Sequence, residues 1–236
     1  MINSFNLKEF LFKVFSRIRE SIFRSSFKQR KLSKRAIRRL VGAQNVVVFE
    51  IGAADGLDTA EFLAEFADPS FRIIAVEPDK RNIAKFEKLI LDPRATLFKV
   101  AISGSDGLAN FHLSSTEYSS SLKVPNLVEL QKRWPEMSFD LTTPVNTRSL
   151  DSLFWQLDLP RIDFIWADVQ GAEDLLISGG VNALKKTRYF YTEYGVDKLY
   201  VDEIDLEKIL ILLGPSWSLL RDYKGDALFR NNSLGV

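Results

Sequence analysis

The run 46-VVVFEIG-52 constrains this chain more than any other segment. Its apolar side chains fall on both faces of an extended strand, so a strand with one wet face is ruled out. Strands buried on both faces belong to parallel sheets with helices packed on either side. Gly52-Ala-Ala-Asp-Gly56 supplies a turn, and Leu57, Ala60, Leu63, Ala64 and Ala67 then form a helical face that Pro69 stops.

The same strand, turn and helix grammar repeats. A second buried strand is 72-RIIAVEP-78, where Pro78 forces extension at Glu77, and Ile83, Phe86 and Ile90 line the next helix. A third strand, 96-TLFKVAI-102, leads through Gly104 and Gly107 to a short strand, 109-ANFHLS-114. Periodicity then pauses over 114–143, apart from a short helix with Leu127, Leu130 and Trp134 on one side. An excursion this long in a compact domain suits a lid or binding loop. Alternation resumes with a helix carrying Leu150, Leu153, Phe154 and Leu157, a strand 162-IDFIWAD-168, and a helix ending at Gly179-Gly180. Strand 188-RYFYTEY-194 and a helix with Leu206, Ile209, Leu210 and Leu213 follow. Trp217–Tyr223 and Ala227–Arg230, separated by Lys224-Gly-Asp226, read as a hairpin. The expectation is a doubly wound α/β sheet, mostly parallel, with one antiparallel strand near its edge.

Composition narrows the chemistry. Without cysteine there are no disulfides, thiolate metal sites, iron–sulfur clusters or cysteine nucleophiles. The single histidine, His112, excludes a multi-histidine zinc site and is weak evidence for catalysis. No apolar run approaches the roughly 18 residues of a membrane-spanning helix.

The overall charge of +1 hides an asymmetry. Residues 1–41 carry twelve Lys/Arg against Glu9 and Glu20, leaving 20 basic and 29 acidic side chains on the rest. A basic arm of +10 therefore precedes a body of −9, and the body is ill suited to phosphate backbones. No nucleic-acid partner is expected. Leu7, Phe10, Leu11, Val14, Phe15, Ile18, Ile22 and Phe23 recur in the arm at helical spacing, and Ser33–Leu40 reads as a second basic helix ending at Gly42. Three readings stand for the arm: a helix docked on the body or on a second copy, peripheral contact with an anionic membrane surface, or a targeting or nucleic-acid arm. No secretory signal is present, so the expected location is the cytoplasm, at its membrane face if the arm binds lipid. The domain boundaries drawn are 1–44 for the basic helical extension and 45–236 for the catalytic domain, with a substrate-binding insertion at 114–143.

Gly52 and Gly56 let a ligand approach the backbone at a helix N-terminus. Neither G-x-G-x-x-G nor G-K-[ST] is present, so the dinucleotide and P-loop fingerprints fail. Glu77 ends the second strand 25 residues after Gly52, beside the first loop, where a carboxylate can accept both hydroxyls of a ribose. Glu50 and Asp55 make the loop negative, which disfavours a pyrophosphate and suits a cationic ligand. S-adenosylmethionine, with its sulfonium, α-amino group, ribose and adenine, fits this polarity better than NAD.

At this point the chain resembles the FkbM family of S-adenosylmethionine-dependent methyltransferases. The family's first motif is matched by 49-FEIGAADG-56 with Thr59 in the usual hydroxyl position, its second by 75-AVEP-78, and its third by 101-AIS-103. Its serine-rich segment corresponds to 119-SSSL-122, its L-D segment to 147-TRSLDSL-153, and its K-[IL]-D-V-E-G-x-E block to 166-WADVQGAE-173. A strand ending in glutamate corresponds to Glu193. The resemblance implies a Rossmann-like class I methyltransferase fold and O-methylation of a hydroxyl on a sugar, glycan or other small-molecule acceptor. It also implies cofactor contacts from Glu50, Gly52, Ala53, Asp55, Gly56, Thr59, Glu77, Pro78, Ala101, Ile102 and Asp168. Three positions depart from the family pattern: Ala54 stands for asparagine, Trp166 for lysine and Gln170 for glutamate. The last two are expected at the catalytic edge, which opens the alternative of a degenerate, non-catalytic module binding a partner or membrane.

Asp168 ends the fourth core strand, beside the first in the standard strand order, and is the first candidate for a base taking the acceptor's proton; capping the following helix is the alternative, and one residue could do both. Glu193 is the second. Glu173 faces the pocket or braces the first loop. Tyr118, Ser119, Ser120, Ser121 and Trp134 could hydrogen-bond and stack against a sugar, and Gln170 joins them as a substrate contact. No metal ligand set is expected.

Overall fold

The computed structural model describes residues 32–234. The chain divides into two compact units, Met1–Leu32 and Ser33–Val236, and the fold is that of the second. The apolar stripe Leu7–Phe23 lies outside the described residues.

Helix α1 (Lys34–Val41) begins with the Ser33 hydroxyl accepting the Ala36 N–H at 3.2 Å and ends at Gly42, as its sequence predicts. Lys34, Ile37 and Val41 form its buried face. Ile37 is wholly buried, and the second compact unit runs from Ser33. Arg188 adds a hydrogen bond to the Val41 carbonyl at 3.1 Å.

Strand β1 (Val47–Ile51) is buried along its whole length and pairs in parallel with β2 (Arg72–Val76) and β7 (Ile162–Ala167). The main sheet continues outward through β3 (Ala95–Phe98) on one side and β8 (Thr187–Glu193) on the other. Strand β10 (Asp226–Asn231) then runs antiparallel to β8, with β9 (Trp217–Asp222) at the edge, giving the order β3-β2-β1-β7-β8-β10-β9. The expected doubly wound, Rossmann-like sheet with its antiparallel hairpin is what forms.

Alternation along the strands separates two cores. Phe49, Ile51, Ile165 and Phe190 meet Leu150, Leu153 and Phe154 of α5 (Leu150–Gln156), Leu176 and Ile177 of α6 (Glu173–Ser178), Leu184 of α7 (Val181–Lys185), and Ile209 of α8 (Leu206–Leu213). Trp166 and Tyr191 face the other way, towards Phe62 of α2 (Leu57–Glu65) and Lys34 of α1. Phe86 of α3 (Lys80–Leu89) closes the space over Ala53 and Ala75.

The stretch 96–102, expected to be one strand, is divided. β3 stays half-exposed in the main sheet, whereas β4 (Ala101–Ile102) pairs in parallel with β6 (Leu141–Arg148) in a second sheet, where β6 also pairs antiparallel with β5 (Gly107–Leu113). Ala101 and Ile102 are both buried there, and Ile102 packs into the main core. The insertion contains the expected short helix, α4 (Leu127–Arg133), with Leu130 buried, Leu127 exposed and Trp134 ending it. Strand β6 and helix α7 were not anticipated. Half of β6 is exposed and it contains Pro144, so it lacks the apolar alternation that reveals a strand.

Candidate active site

The carboxyl ends of β1, β2, β7 and β8 gather most of the sequence-predicted residues. Gly52 leaves β1 at φ +88°, and a Cβ there would lie 2.0 Å from the carbonyl oxygen of Asp168. Only glycine fits so close to β7, and the Asp168 N–H donates to the Ile51 carbonyl at 2.8 Å. Gly52 and Ala53 both donate to the Val76 carbonyl, at 2.9 and 3.0 Å. The loop is thereby laid across the end of β2. Ala54 follows at φ +46°, a left-handed conformation that L residues other than Asn and Asp adopt rarely. Its N–H donates to Glu77 Oε2 at 2.9 Å.

Glu77 is 5% exposed, and its other oxygen accepts the Asp79 N–H at 2.8 Å. Burial pushes its carboxyl up to about 7, while the two backbone donors pull the other way. Both oxygens are thus oriented and still have lone pairs for a ligand's hydroxyls. Pro78, half-buried, separates Glu77 from Asp79.

Glu50 lies beneath the loop, 1% exposed, accepting a short hydrogen bond from the Thr59 hydroxyl that ties α2 to β1. Burial, with Asp58 adding to it, pushes the Glu50 carboxyl up to about 8 against the opposing pull of Thr59 and Lys34. Gly56, at φ +85°, opens α2 where a Cβ would strike the Phe86 ring. Asp55 accepts the Leu57 N–H at 3.4 Å and the Tyr118 hydroxyl at 2.9 Å, which brings the insertion onto the first loop. Ala101 and Ile102 are buried in β4, where Ile102 also joins the main core.

The insertion is held by residues that the sequence did not single out. Asp79 caps α3 and pairs with Arg81 at 2.6 Å; Arg81 in turn donates to the Ser114 carbonyl at 2.9 Å and to Ser120 at 3.1 Å. Asn82 donates to the Glu117 carbonyl at 2.8 Å, and Lys85 forms an ion pair with Glu117. The charged run 79-DKRN-82 directly after Glu77-Pro78 was the only available signal.

Across the cleft, the Asp168 carboxylate accepts a short hydrogen bond from the Gln170 side-chain amide. Gln170 Oε1 lies 3.1 Å from the Tyr200 hydroxyl, which also donates to the Ser119 carbonyl at 2.7 Å. Ser121 donates to the Gln170 carbonyl at 2.7 Å. Gly171, at φ +90°, leaves room for the Tyr200 ring, since a Cβ would come within 2.8 Å of Tyr200 Cβ. No periodicity marked Tyr200 beforehand.

Glu173 begins α6 at 1% exposure, and among the described residues neither carboxyl oxygen has a hydrogen-bond partner. Burial pushes it well above the usual carboxylate range, with Glu193, Glu203 and Asp168 adding to the effect; its own amide opposes the shift without making a hydrogen bond of ordinary geometry. Glu193 ends β8, half-buried, opposite Asp226 of β10.

Trp166, the next-to-last residue of β7 and in register with Glu50, is buried under α1 and α2 and stacked on Tyr191 at 4.5 Å. Trp134 ends α4, its N–H donating to the Leu130 carbonyl at 2.9 Å. His112 meets Thr142 at 3.2 Å in the second sheet. Among the described residues, no cluster of three or more potential ligand side chains could hold a metal ion.

The family model for the methyltransferase FkbM domain matches residues 50–217. The chain is 38% identical over 213 residues to the 2-O-methyltransferase NoeI of Sinorhizobium fredii, with 85% of each protein covered. Among solved structures, methyltransferase FkbM from Methylobacillus flagellatus KT is similar at 16% identity and a TM-score of 0.48, covering 88% of this chain and 46% of that one. Precorrin-6y C5,15-methyltransferase from Geobacter metallireducens is similar at 14% identity and a TM-score of 0.43, covering 83% and 87%. With its family model spanning the sheet from Glu50 to Trp217, this chain belongs to the FkbM methyltransferase family.

Proposed function

We propose that this chain transfers a methyl group from S-adenosylmethionine to a hydroxyl of a sugar-containing or other small-molecule acceptor. The observation that carries the donor's identity is Glu77: a buried carboxylate, oriented by the Ala54 and Asp79 amides, one strand from the Gly52 loop. The donor set fits the group. Glu77 would hold the ribose diol, the turn from Gly52 to Gly56 would hold the amino-acid end, and Asp55 and Asp168 would supply a negative surround for a cation. When bound, the sulfonium supplies an electrophilic methyl group.

The chain's own residues then bind the acceptor, orient its hydroxyl and take its proton. Asp168 is the proton acceptor in this reading, and Glu193 lies on the neighbouring strand as the second candidate. Tyr118 and the 119–121 serines, docked onto Asp55, Arg81 and Gln170, form a wall on the acceptor side. The relative from Sinorhizobium fredii, by name a 2-O-methyltransferase, supports a hydroxyl acceptor. The basic arm remains the candidate route for contact with an anionic membrane surface or a second copy, on its charge and apolar stripe.

Titration calorimetry with S-adenosylmethionine, its demethylated product and NAD tests the donor. The two sulfur compounds should bind and NAD should not, and Glu77→Ala should weaken binding about tenfold or more. Binding of NAD, or an unchanged constant in Glu77→Ala, would refute the reading.

A further inference from the structure

We infer that Gln170 is a positioning residue that holds Asp168 in its ionised, proton-accepting form through the side-chain amide. The inference deepens the proposed function and rests on Asp168 being the base in it.

Gln170 is one of the few non-glycine residues with positive φ, at +54°. Such a conformation persists only where neighbours over-determine it. Here Ser121 holds its carbonyl, Tyr200 faces its side-chain oxygen, and Tyr200 is itself fixed by the Ser119 carbonyl and by packing on Gly171. The amide has two chemically distinct ends. Turned towards Tyr200, its oxygen meets a hydroxyl; turned towards Asp168, its NH2 donates to the carboxylate. The opposite orientation would set oxygen against oxygen at Asp168.

A donor fixed on a carboxylate favours the ionised form. The surroundings push the other way. Glu173 of α6 and Tyr200, from the segment before α8, each interact electrostatically with Asp168, and both also feel Glu193 of β8 and Glu203. Lys123 pairs with Asp174 at 2.7 Å, and Lys198 donates to the Glu203 carbonyl at 2.8 Å. On the β1 side the Gly52 backbone packs against the backbone of Asp168. Gln170 brings a neutral donor to Asp168 among these acids. A glutamate here, the residue that the family pattern carries, would place a second carboxylate against Asp168. The pair would then share a proton, and Asp168 would lose it only at higher pH.

The test is a carbon-13 NMR titration of protein labelled at aspartate Cγ, with Asp168→Asn assigning the resonance. In Gln170→Glu the Asp168 midpoint should rise by about one pH unit or more relative to the unsubstituted protein. Gln170→Ala, which adds no charge, should move it the same way by less. Thermal melts accompany each variant, and Gln170→Ala keeps the test open if the glutamate variant does not fold. Midpoints that stay put or fall would overturn the inference. Asp168→Asn turning over as fast as the unsubstituted protein would instead remove Asp168 as the base and leave the titration unaffected, so the two failures are distinguishable.

Discussion

The ammonium nitrogen of Lys34 lies 3.3 Å from the centroid of the Trp166 ring. Phe62 flanks the same ammonium at 4.5 Å, and Asp58 pairs with it at 3.1 Å. A lysine only 7% exposed is rare unless its charge is compensated, and here two aromatic faces and a carboxylate do so. Trp166 stands where the family pattern has a lysine. In this chain α1 brings an ammonium to that ring, close enough to Glu50 to oppose the effect of burial on its carboxyl. The tryptophan therefore gives no reason to regard the cleft as degenerate; of the two departures at the 166–173 block, Gln170 is the one whose side chain hydrogen-bonds Asp168 among the described residues.

Replacing Lys34 with alanine removes the cation–π contacts and the buried stem together. Stability should fall by about 1–3 kcal/mol, read from denaturant titrations of both proteins. A change below about 0.5 kcal/mol would mean that the contact contributes nothing net.

Glu50 should make stability fall as pH rises. Its carboxyl is raised from 4.5 to about 8 in the fold, so between those values the native state holds a proton that the unfolded chain releases. The slope is at most about 1.4 kcal/mol per pH unit, confined to that window. Glu50→Gln keeps an acceptor for Thr59 and cannot ionise, so it should flatten this share of the slope, leaving what Glu77 and Glu173 contribute. Denaturant titrations at pH 5, 6, 7 and 8 check the difference in slopes.

Affinity for S-adenosylmethionine should depend on pH through Glu77. Two ribose hydroxyls donating to it favour the carboxylate, and the free group sits at about 7. Below that pH, binding must release a proton and weaken by at most about tenfold per pH unit; above it, affinity should level off. Calorimetry in two buffers of different ionisation enthalpy counts the proton directly. Uptake of a proton, or affinity independent of pH from 6 to 8, contradicts the assignment.

Ala54 carries avoidable strain. An L side chain at φ +46° costs about 1 kcal/mol, and asparagine tolerates the region better. Ala54→Asn should therefore stabilise the protein by about 0.5–1 kcal/mol, with a melting temperature higher by roughly 1–4 °C. The backbone N–H that serves Glu77 is kept. A lower melting temperature would show that the loop packs too tightly for the longer side chain.

Asp168→Asn keeps shape and removes the base. Turnover on an acceptor that the unsubstituted protein methylates should drop by about 10²–10⁴, with little change in affinity for the methyl donor. Glu193→Gln, measured alongside, should cost less. The reverse ranking would move the base to β8.

Much of the scaffold was determined by the sequence alone. The apolar runs of β1, β2 and β7 cannot be half-wet, Gly52 and Gly56 require a tight turn, and Lys224-Gly225-Asp226 closes a hairpin whichever way the rest packs. These are local consequences of side-chain period and backbone sterics, so they could be read one segment at a time. Glu77 and Asp168 could be placed because strand order in such a sheet follows from connection rules. Other features depended on tertiary structure. That Tyr200 would reach Gln170, that Arg81 would fasten the insertion at Ser114 and Ser120, and that Lys34 would lie over Trp166 are pairings between distant residues, and no spacing encodes them. The division of 96–102 between two sheets and the exposed strand β6 were hidden for a related reason. Their strand character comes from backbone pairing with partners that only the assembled fold supplies, while their side chains, half-exposed or interrupted by Pro144, carry no periodic pattern of their own.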